Sequence, residues 1–194
     1  MLAVVGTASP ALAQTERCYP GAYGADDGDY VAIAALSAKP EAGLRYLFRD
    51  GRRGFTTDKD APIVCGSGYV EVRGASSSAR WTEIAFTKTD TSFVSAGTQL
   101  SGQLIEPGGA TNDRPLVVMV HGSERTPAIG SVYAYSLAAQ GISVFVYDKR
   151  GTGGSEGEYT QNFNLLANDA AAALRHATAL AKGRYSRAGY FGGS

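Results

Sequence analysis

The residues with the most chemical content are Gly192-Gly193-Ser194, which supply the first three positions of the pattern G-x-S-x-G. In that pattern a serine sits on a sharp strand-to-helix turn that exposes its hydroxyl, and small flanking residues let neighbouring backbone pass closely. A serine after two glycines is common loop material. Here a strand-like run precedes it and two strand–helix units precede that, which makes Ser194 the expected nucleophile. Gly153-Gly154-Ser155-Glu156-Gly157 satisfies all five positions of the same pattern. Its context is wrong for a nucleophile: a charged, glycine-rich stretch separates it from the preceding strand, and no helix starts before about Asn162. Residues 149–158 are therefore read as a loop at the rim of the site, with Ser155 in a structural role.

His121-Gly122-Ser123 follows the strongest strand of the chain. In open α/β sheets, ligands bind in the crevice beyond the carboxyl ends of the strands. A small residue after His-Gly lets its backbone N–H approach a developing oxyanion, where one such donor is typically worth about 3 kcal/mol. Ser123 is the expected backbone donor, with His121 and Gly122 as structural residues near the site. His121 lies upstream of Ser194, whereas the order compatible with an elbow serine is serine, acid, histidine. His176 falls inside a helix and reads as a solvated or packed side chain. Asp148 is expected to fix its loop through Arg150 or through backbone N–H groups, and Asp169 reads as helix surface. A free serine hydroxyl is a weak nucleophile and needs a base. Neither histidine fits that role, so the base is expected beyond residue 194, and these residues alone are expected to be inactive.

The elements that must position these groups are clearest in the C-terminal half. Leu116-Val117-Val118-Met119-Val120 is a continuous apolar run, as expected of a parallel strand covered on both faces. The spacing predicts a helix over 128–140 with Ile129, Val132, Tyr133, Ser136 and Leu137 inward, then a strand over 142–147. A second helix is predicted over 164–182, with Leu166, Ala170, Ala173, Ala177 and Leu180 on one stripe and Gly183 as its C-cap. A short strand over 186–190 leads into the terminal glycines. Alternating strands and helices with short connections predict an α/β layer. Upstream, 81–87 and 100–105 are predicted to pair as antiparallel strands. Residues 18–80 are turn-rich and read as a small, mostly β accessory region, in which 30–36 could be strand or short helix. The serine-rich stretch 74–79 reads as a boundary, leaving 81–194 as the following domain.

Composition narrows the partners. Eighteen basic and eighteen acidic residues leave no net field to attract nucleic acid or an anionic membrane. No run approaches the roughly 20 apolar residues of a spanning helix, so stable membrane insertion is not expected. Ala11-Leu12-Ala13 has the small-x-small form of a signal-peptidase site after a small apolar stretch, and residues 1–13 are read as a residual export signal. Export to the periplasm or exterior would let Cys18 and Cys65, the two cysteines of the chain, persist as a disulfide. Two cysteines without convergent histidines offer no zinc site, and neither a metal nor an organic cofactor is expected.

The motifs Phe93-x-x-x-Gly97-x-x-Leu100-x-Gly102-x-Leu104-x-x-Pro107, Val118-Met119-Val120-His121-Gly122-Ser123 and Tyr147-Asp148-Lys149-Arg150-Gly151-x-Gly153-x-Ser155-x-Gly157, with Gly192-Gly193-Ser194, resemble the α/β-hydrolases. The resemblance runs from about Phe93 to Ser194. The motifs resemble those of exported esterases and serine aminopeptidase-like hydrolases with an extra N-terminal domain. It implies an incomplete α/β-hydrolase sheet, Ser194 as nucleophile, Ser123 and the residue after Ser194 as oxyanion donors, and an acid and a histidine in later loops. The expected activity is hydrolysis of small-molecule esters through an acyl-enzyme. Hydrolysis of short peptides or amides is the alternative, and a non-catalytic ligand-binding protein on the same scaffold is a third reading.

Overall fold

The computed structural model describes residues 18–35, 43–74, 79–109, 113–120 and 122–192. They form two sheets and two helices. The first sheet contains β1 (Gly21–Gly24), β2 (Tyr30–Ala35), β3 (Leu44–Phe48), β4 (Arg53–Phe55), β5 (Ile63–Cys65), β6 (Tyr69–Val72) and β7 (Ala79–Glu83), in the order β4-β3-β2-β1-β7-β6-β5. Every pair is antiparallel. Gly51, at φ +90°, supplies the left-handed position of the turn between β3 and β4. Cys18, just before β1, is disulfide-bonded to Cys65 at the end of the edge strand β5, with 4.8 Å between their Cα atoms.

Strand β2 resolves the strand-or-helix alternative at 30–36 in favour of a strand over Tyr30–Ala35. Alternation was invisible because both faces are covered. Val31 and Ile33 pack with Tyr23, Phe48, Val70 and Trp81 inside the sheet's own core, whereas Ala32 and Ala34 pack on the opposite face. The expected pairing of 81–87 with 100–105 is corrected. Trp81 lies in β7, opposite Val70, and its ring meets that of Phe48 edge-on at 5.7 Å. An indole that fills the first core cannot also serve the second sheet, so the chain changes sheets between Glu83 and Phe86.

The second sheet contains β8 (Phe86–Ser95), β9 (Thr98–Pro107), β10 (Pro115–Val120), β11 (Ser143–Tyr147) and β12 (Arg187–Gly192), in the order β12-β10-β11-β9-β8. Strand β10 runs parallel to both β11 and β12, and β9 is antiparallel to β11 and β8. Helix α1 (Val132–Ala139) connects β10 to β11, and α2 (Phe163–Ala181) connects β11 to β12. The pleat sends alternate residues to opposite helices. Met119, Val144 and Val146 pack with α1, whereas Leu116, Val118, Phe145 and Tyr147 pack with α2. The two helices thus cover opposite faces, and the sheet has the layered α/β form expected from the alternation.

Helix α1 begins at Val132 rather than 128, because Gly130 takes φ +85° and the Ser131 hydroxyl caps the helix by accepting the Tyr133 N–H at 3.3 Å. Its predicted single stripe is also corrected: Val132, Ala134, Tyr135, Ser136 and Ala138 are buried, while Tyr133 is partly exposed. The reason is that α1 lies between the two sheets, with Ala32 and Ala34 on one side and Ile105, Met119, Val144 and Val146 on the other. Tyr30 Oη and Ser136 Oγ are 3.0 Å apart in this buried contact, and Arg45 donates to Tyr133 Oη at 3.0 Å. Helix α2 is capped by Asn162, which accepts the Leu165 N–H at 3.2 Å. Its C-cap is Lys182, in the left-handed region at φ 47°, and not the predicted Gly183, which follows at φ +78°.

Candidate active site

Two loops meet beyond the carboxyl ends of β10 and β11. The chain leaves β10 toward α1 on one face and returns to β12 from α2 on the other, which makes the β10/β12 boundary the topological switch point where such sheets bind ligands. The register sets Gly192 directly opposite Val120, so the two strands end level. A Cβ at Gly192 would come within 3.3 Å of the Val120 carbonyl oxygen, so this position favours glycine. Ser194, Gly193 and His121, named from the sequence, lie outside the described residues. Gly122 and Ser123 are described, in the loop that leaves β10.

Asp148 directly follows β11 and is buried. Its Oδ1 accepts the N–H groups of Ala128 at 2.7 Å and Ile129 at 3.0 Å, and its Oδ2 accepts the Gly154 N–H at 3.0 Å. One carboxylate therefore holds both loops. Of the two partners expected for it, the backbone N–H groups are the ones it engages. Gly153 (φ +52°) passes so close that an added Cβ would lie 1.9 Å from Asp148 Oδ2, which excludes any side chain there.

Arg150 turns elsewhere. It forms a bidentate pair with Asp169 on α2, with Nε to Oδ2 and Nη2 to Oδ1 both at 2.7 Å, and Nη2 also donates to the Ser95 carbonyl at 2.6 Å. Nη1 donates to Thr98 Oγ1. The expectation that Asp169 lies on the helix surface is corrected: it is 1% exposed, because the guanidinium gives its charge a buried partner. Arg150 thus joins the β8–β9 turn, the loop after β11 and helix α2.

Ser155 donates to the Asp148 carbonyl at 2.7 Å and accepts the Ser101 N–H at 2.9 Å. Both hydroxyl functions are occupied in holding the loop against β9. His176 stacks on Phe93, with ring centroids 5.5 Å apart, and its Nε2 lies 2.9 Å from Thr91 Oγ1. Burial lowers its pKa from the ordinary histidine value, favouring the neutral ring.

Two residues, Lys149 in the rim loop and Tyr159 just after it, carry contacts that the sequence does not reveal. Lys149 is 4% exposed and its ammonium donates to the Gly122 carbonyl, while the Tyr159 hydroxyl donates to the Ser123 carbonyl. The Tyr159 ring carries the Arg125 guanidinium 4.4 Å and the Lys149 ammonium 5.2 Å from its centroid. Burial pushes the Lys149 pKa down, opposed by Tyr159 and Glu124. A lysine beside an arginine after a strand reads as solvated loop, and only the apposition of the two loops makes it interior.

Among the described residues no cluster of three or more His, Cys, Asp or Glu side chains is placed to hold a metal ion. Among them, too, no helix is long and apolar enough to cross a membrane.

Residues 111–194 match the model of the family described as serine aminopeptidase, S33. No curated protein sequence matches the chain. Similar solved structures include the esterase Pf2001 of Pyrococcus furiosus, 21% identical over 55% of this chain and 42% of that one, with a TM-score of 0.45. Est1E of Butyrivibrio proteoclasticus, solved with ferulic acid bound, is 20% identical over 54% of this chain and 42% of its own, with a TM-score of 0.46. Brefeldin A esterase, described as a bacterial homologue of human hormone-sensitive lipase, is 18% identical over 55% and 31%, with a TM-score of 0.44. The chain thus spans well under half the length of these proteins. By its family match and its sheet order, the region from 111 to 194 resembles the α/β-hydrolases.

Proposed function

We propose that the whole protein is a serine hydrolase of small-molecule carboxylic esters, with Ser194 as nucleophile and the Ser123 N–H as one oxyanion donor. The observation that carries this reading is the level ending of β10 and β12 at the switch point, Val120 opposite Gly192. That register brings the chain leading to Ser194 beside the chain leading to Ser123. In the first step Ser194 Oγ bonds to the ester carbonyl carbon and its proton passes to a base. Collapse of the tetrahedral intermediate breaks the acyl C–O bond and releases the alcohol with that proton. Water then repeats the sequence on the acyl-enzyme, releasing the acid and restoring the hydroxyl. The base and acid are proposed to come from residues beyond 194, since His176 is held against the β8–β11 aromatic face.

The family match favours one second reading, a peptidase or amidase acting on short peptides. Matched ester and aminoacyl-amide substrates given to the whole protein separate the two. Ester turnover abolished by Ser194→Ala is the expected result. Turnover confined to amides moves the assignment to the peptidase, and absence of both leaves only the ligand-binding reading. We also propose a periplasmic or secreted location, supported by the Ala11-Leu12-Ala13 stretch and by a disulfide suited to oxidising compartments. Protection of the tagged protein from protease in intact cells that retain their outer envelope is the expected fractionation result for a periplasmic protein.

A further inference from the structure

We infer that Lys149 and Tyr159 are positioning residues that set the direction of the Ser123 N–H by gripping the carbonyls on either side of it. The inference rests on the proposed role of Ser123 as an oxyanion donor. Its physical basis is the peptide unit itself. A trans peptide is planar, with C=O and N–H pointing in opposite directions, so fixing the oxygen fixes the hydrogen. No peptide bond among the described residues is cis. The Gly122 carbonyl accepts from the Lys149 ammonium, so the N–H of Ser123, in the same peptide unit, is turned away from Lys149. The Ser123 carbonyl accepts from the Tyr159 hydroxyl, which fixes the next unit and, with it, the Glu124 N–H. Two consecutive peptide planes are thus held from the opposite loop.

The grip is needed because nothing local supplies it. The described residues between β10 and α1, 122–131, form no regular helix or strand, and Gly122 leaves its peptide plane free to rotate. Among the described residues neither the Ser123 nor the Glu124 N–H donates a hydrogen bond, so the freed direction is not used by the fold itself. The donors, by contrast, are anchored. Lys149 directly follows Asp148, whose carboxylate ties the same two loops through three backbone N–H groups. Its buried ammonium has few alternatives to the carbonyl, and the Tyr159 ring lies 5.2 Å from it. Rotation of the Gly122–Ser123 peptide would leave that ammonium facing an N–H in place of an oxygen. The loop after β11 therefore selects one of two backbone orientations in the loop after β10, the one that turns the Ser123 N–H away from Lys149.

The test uses the whole protein, an ester substrate, and the variants Ser194→Ala, Lys149→Met, Lys149→Arg and Tyr159→Phe. Removing an oxyanion donor outright costs roughly 100- to 1,000-fold in kcat, so loosening one is expected to cost less. We expect kcat to fall about 30-fold in Lys149→Met and about 5-fold in Tyr159→Phe, with KM changed less than about 2-fold and Lys149→Arg recovering most of the loss. The amide resonance of Ser123 should shift in both Lys149→Met and Tyr159→Phe. Activity surviving in Ser194→Ala overturns Ser194 as the nucleophile and the inference with it, since Ser123 is assigned as that serine's oxyanion partner. An inactive Ser194→Ala beside unchanged kcat in folded Lys149→Met and Tyr159→Phe overturns the inference alone, as does a raised KM at constant kcat. Should Lys149→Met fail to fold, Tyr159→Phe decides, since it keeps the ring and removes only the hydroxyl.

Discussion

The seven-stranded sheet is antiparallel throughout, whereas the five-stranded sheet sets β10 parallel to both of its neighbours. That difference decides where loops can gather. Between β3 and β4, and between β5 and β6, antiparallel neighbours are joined by short turns, which leaves little chain free for anything but reversal. Parallel neighbours require crossovers, so β10, β11 and β12 all deliver their carboxyl ends to the same edge, and the loops after β10 and β11 meet there. The two regions are also fastened differently. The first sheet is tied by the Cys18–Cys65 disulfide, while the second is tied by Arg150, which clasps Asp169, Ser95 and Thr98. Helix α1 serves both, filling the layer between them.

The comparison breaks most sharply at the ionic clasp. Asp169→Ala strands a buried guanidinium and should cost about 3–5 kcal/mol in chemical unfolding, whereas the double variant Arg150→Met/Asp169→Leu should recover much of that loss. A double variant no more stable than Asp169→Ala would show that the clasp does more than neutralise its own charges. Next comes the disulfide. A separation of 47 residues implies a chain-entropy contribution of about 4 kcal/mol, so reduction should lower the unfolding free energy by a comparable amount. Protection from hydrogen exchange should fall first in β1 and β5 and last in β10 and β11, and uniform loss would mean that the sheets unfold as one unit. The smallest effect tests the shared layer. Tyr30→Phe or Ser136→Ala should each cost about 1 kcal/mol, and a double-mutant cycle should give a coupling energy above zero because each removes the same 3.0 Å contact.

Much of the second sheet was legible from residues alone. The apolar run of β10 and the β-branched and aromatic run of β11 announce strands covered on both faces, and glycine at 141 and 183 marks the helix ends within a residue or two. The first sheet was less legible. Ala32 and Ala34 face α1 while Val31 and Ile33 face the sheet's own core, so β2 is apolar on both sides and lacks the alternation that identifies a strand. The sheet that Trp81 joins is illegible for a related reason: an indole before a polar segment shows that it is buried but not which core it enters. Within the site, the motif around Asp148 was recognisable, yet the partners were not. Closeness in sequence suggests Arg150 as a partner of Asp148, and the folded chain gives it instead to Asp169, nineteen residues away.

What the sequence by itself determined is the set of short-range choices: strand and helix periodicity, and left-handed turns where glycine alone is comfortable. Those follow from interactions between residues close along the chain. Tertiary structure alone decided which buried charges pair, which sheet Trp81 joins, and which carbonyls Lys149 and Tyr159 hold. Each depends on the apposition of segments distant in sequence, where burial removes water as a competing partner and makes one specific pairing preferable to solvation.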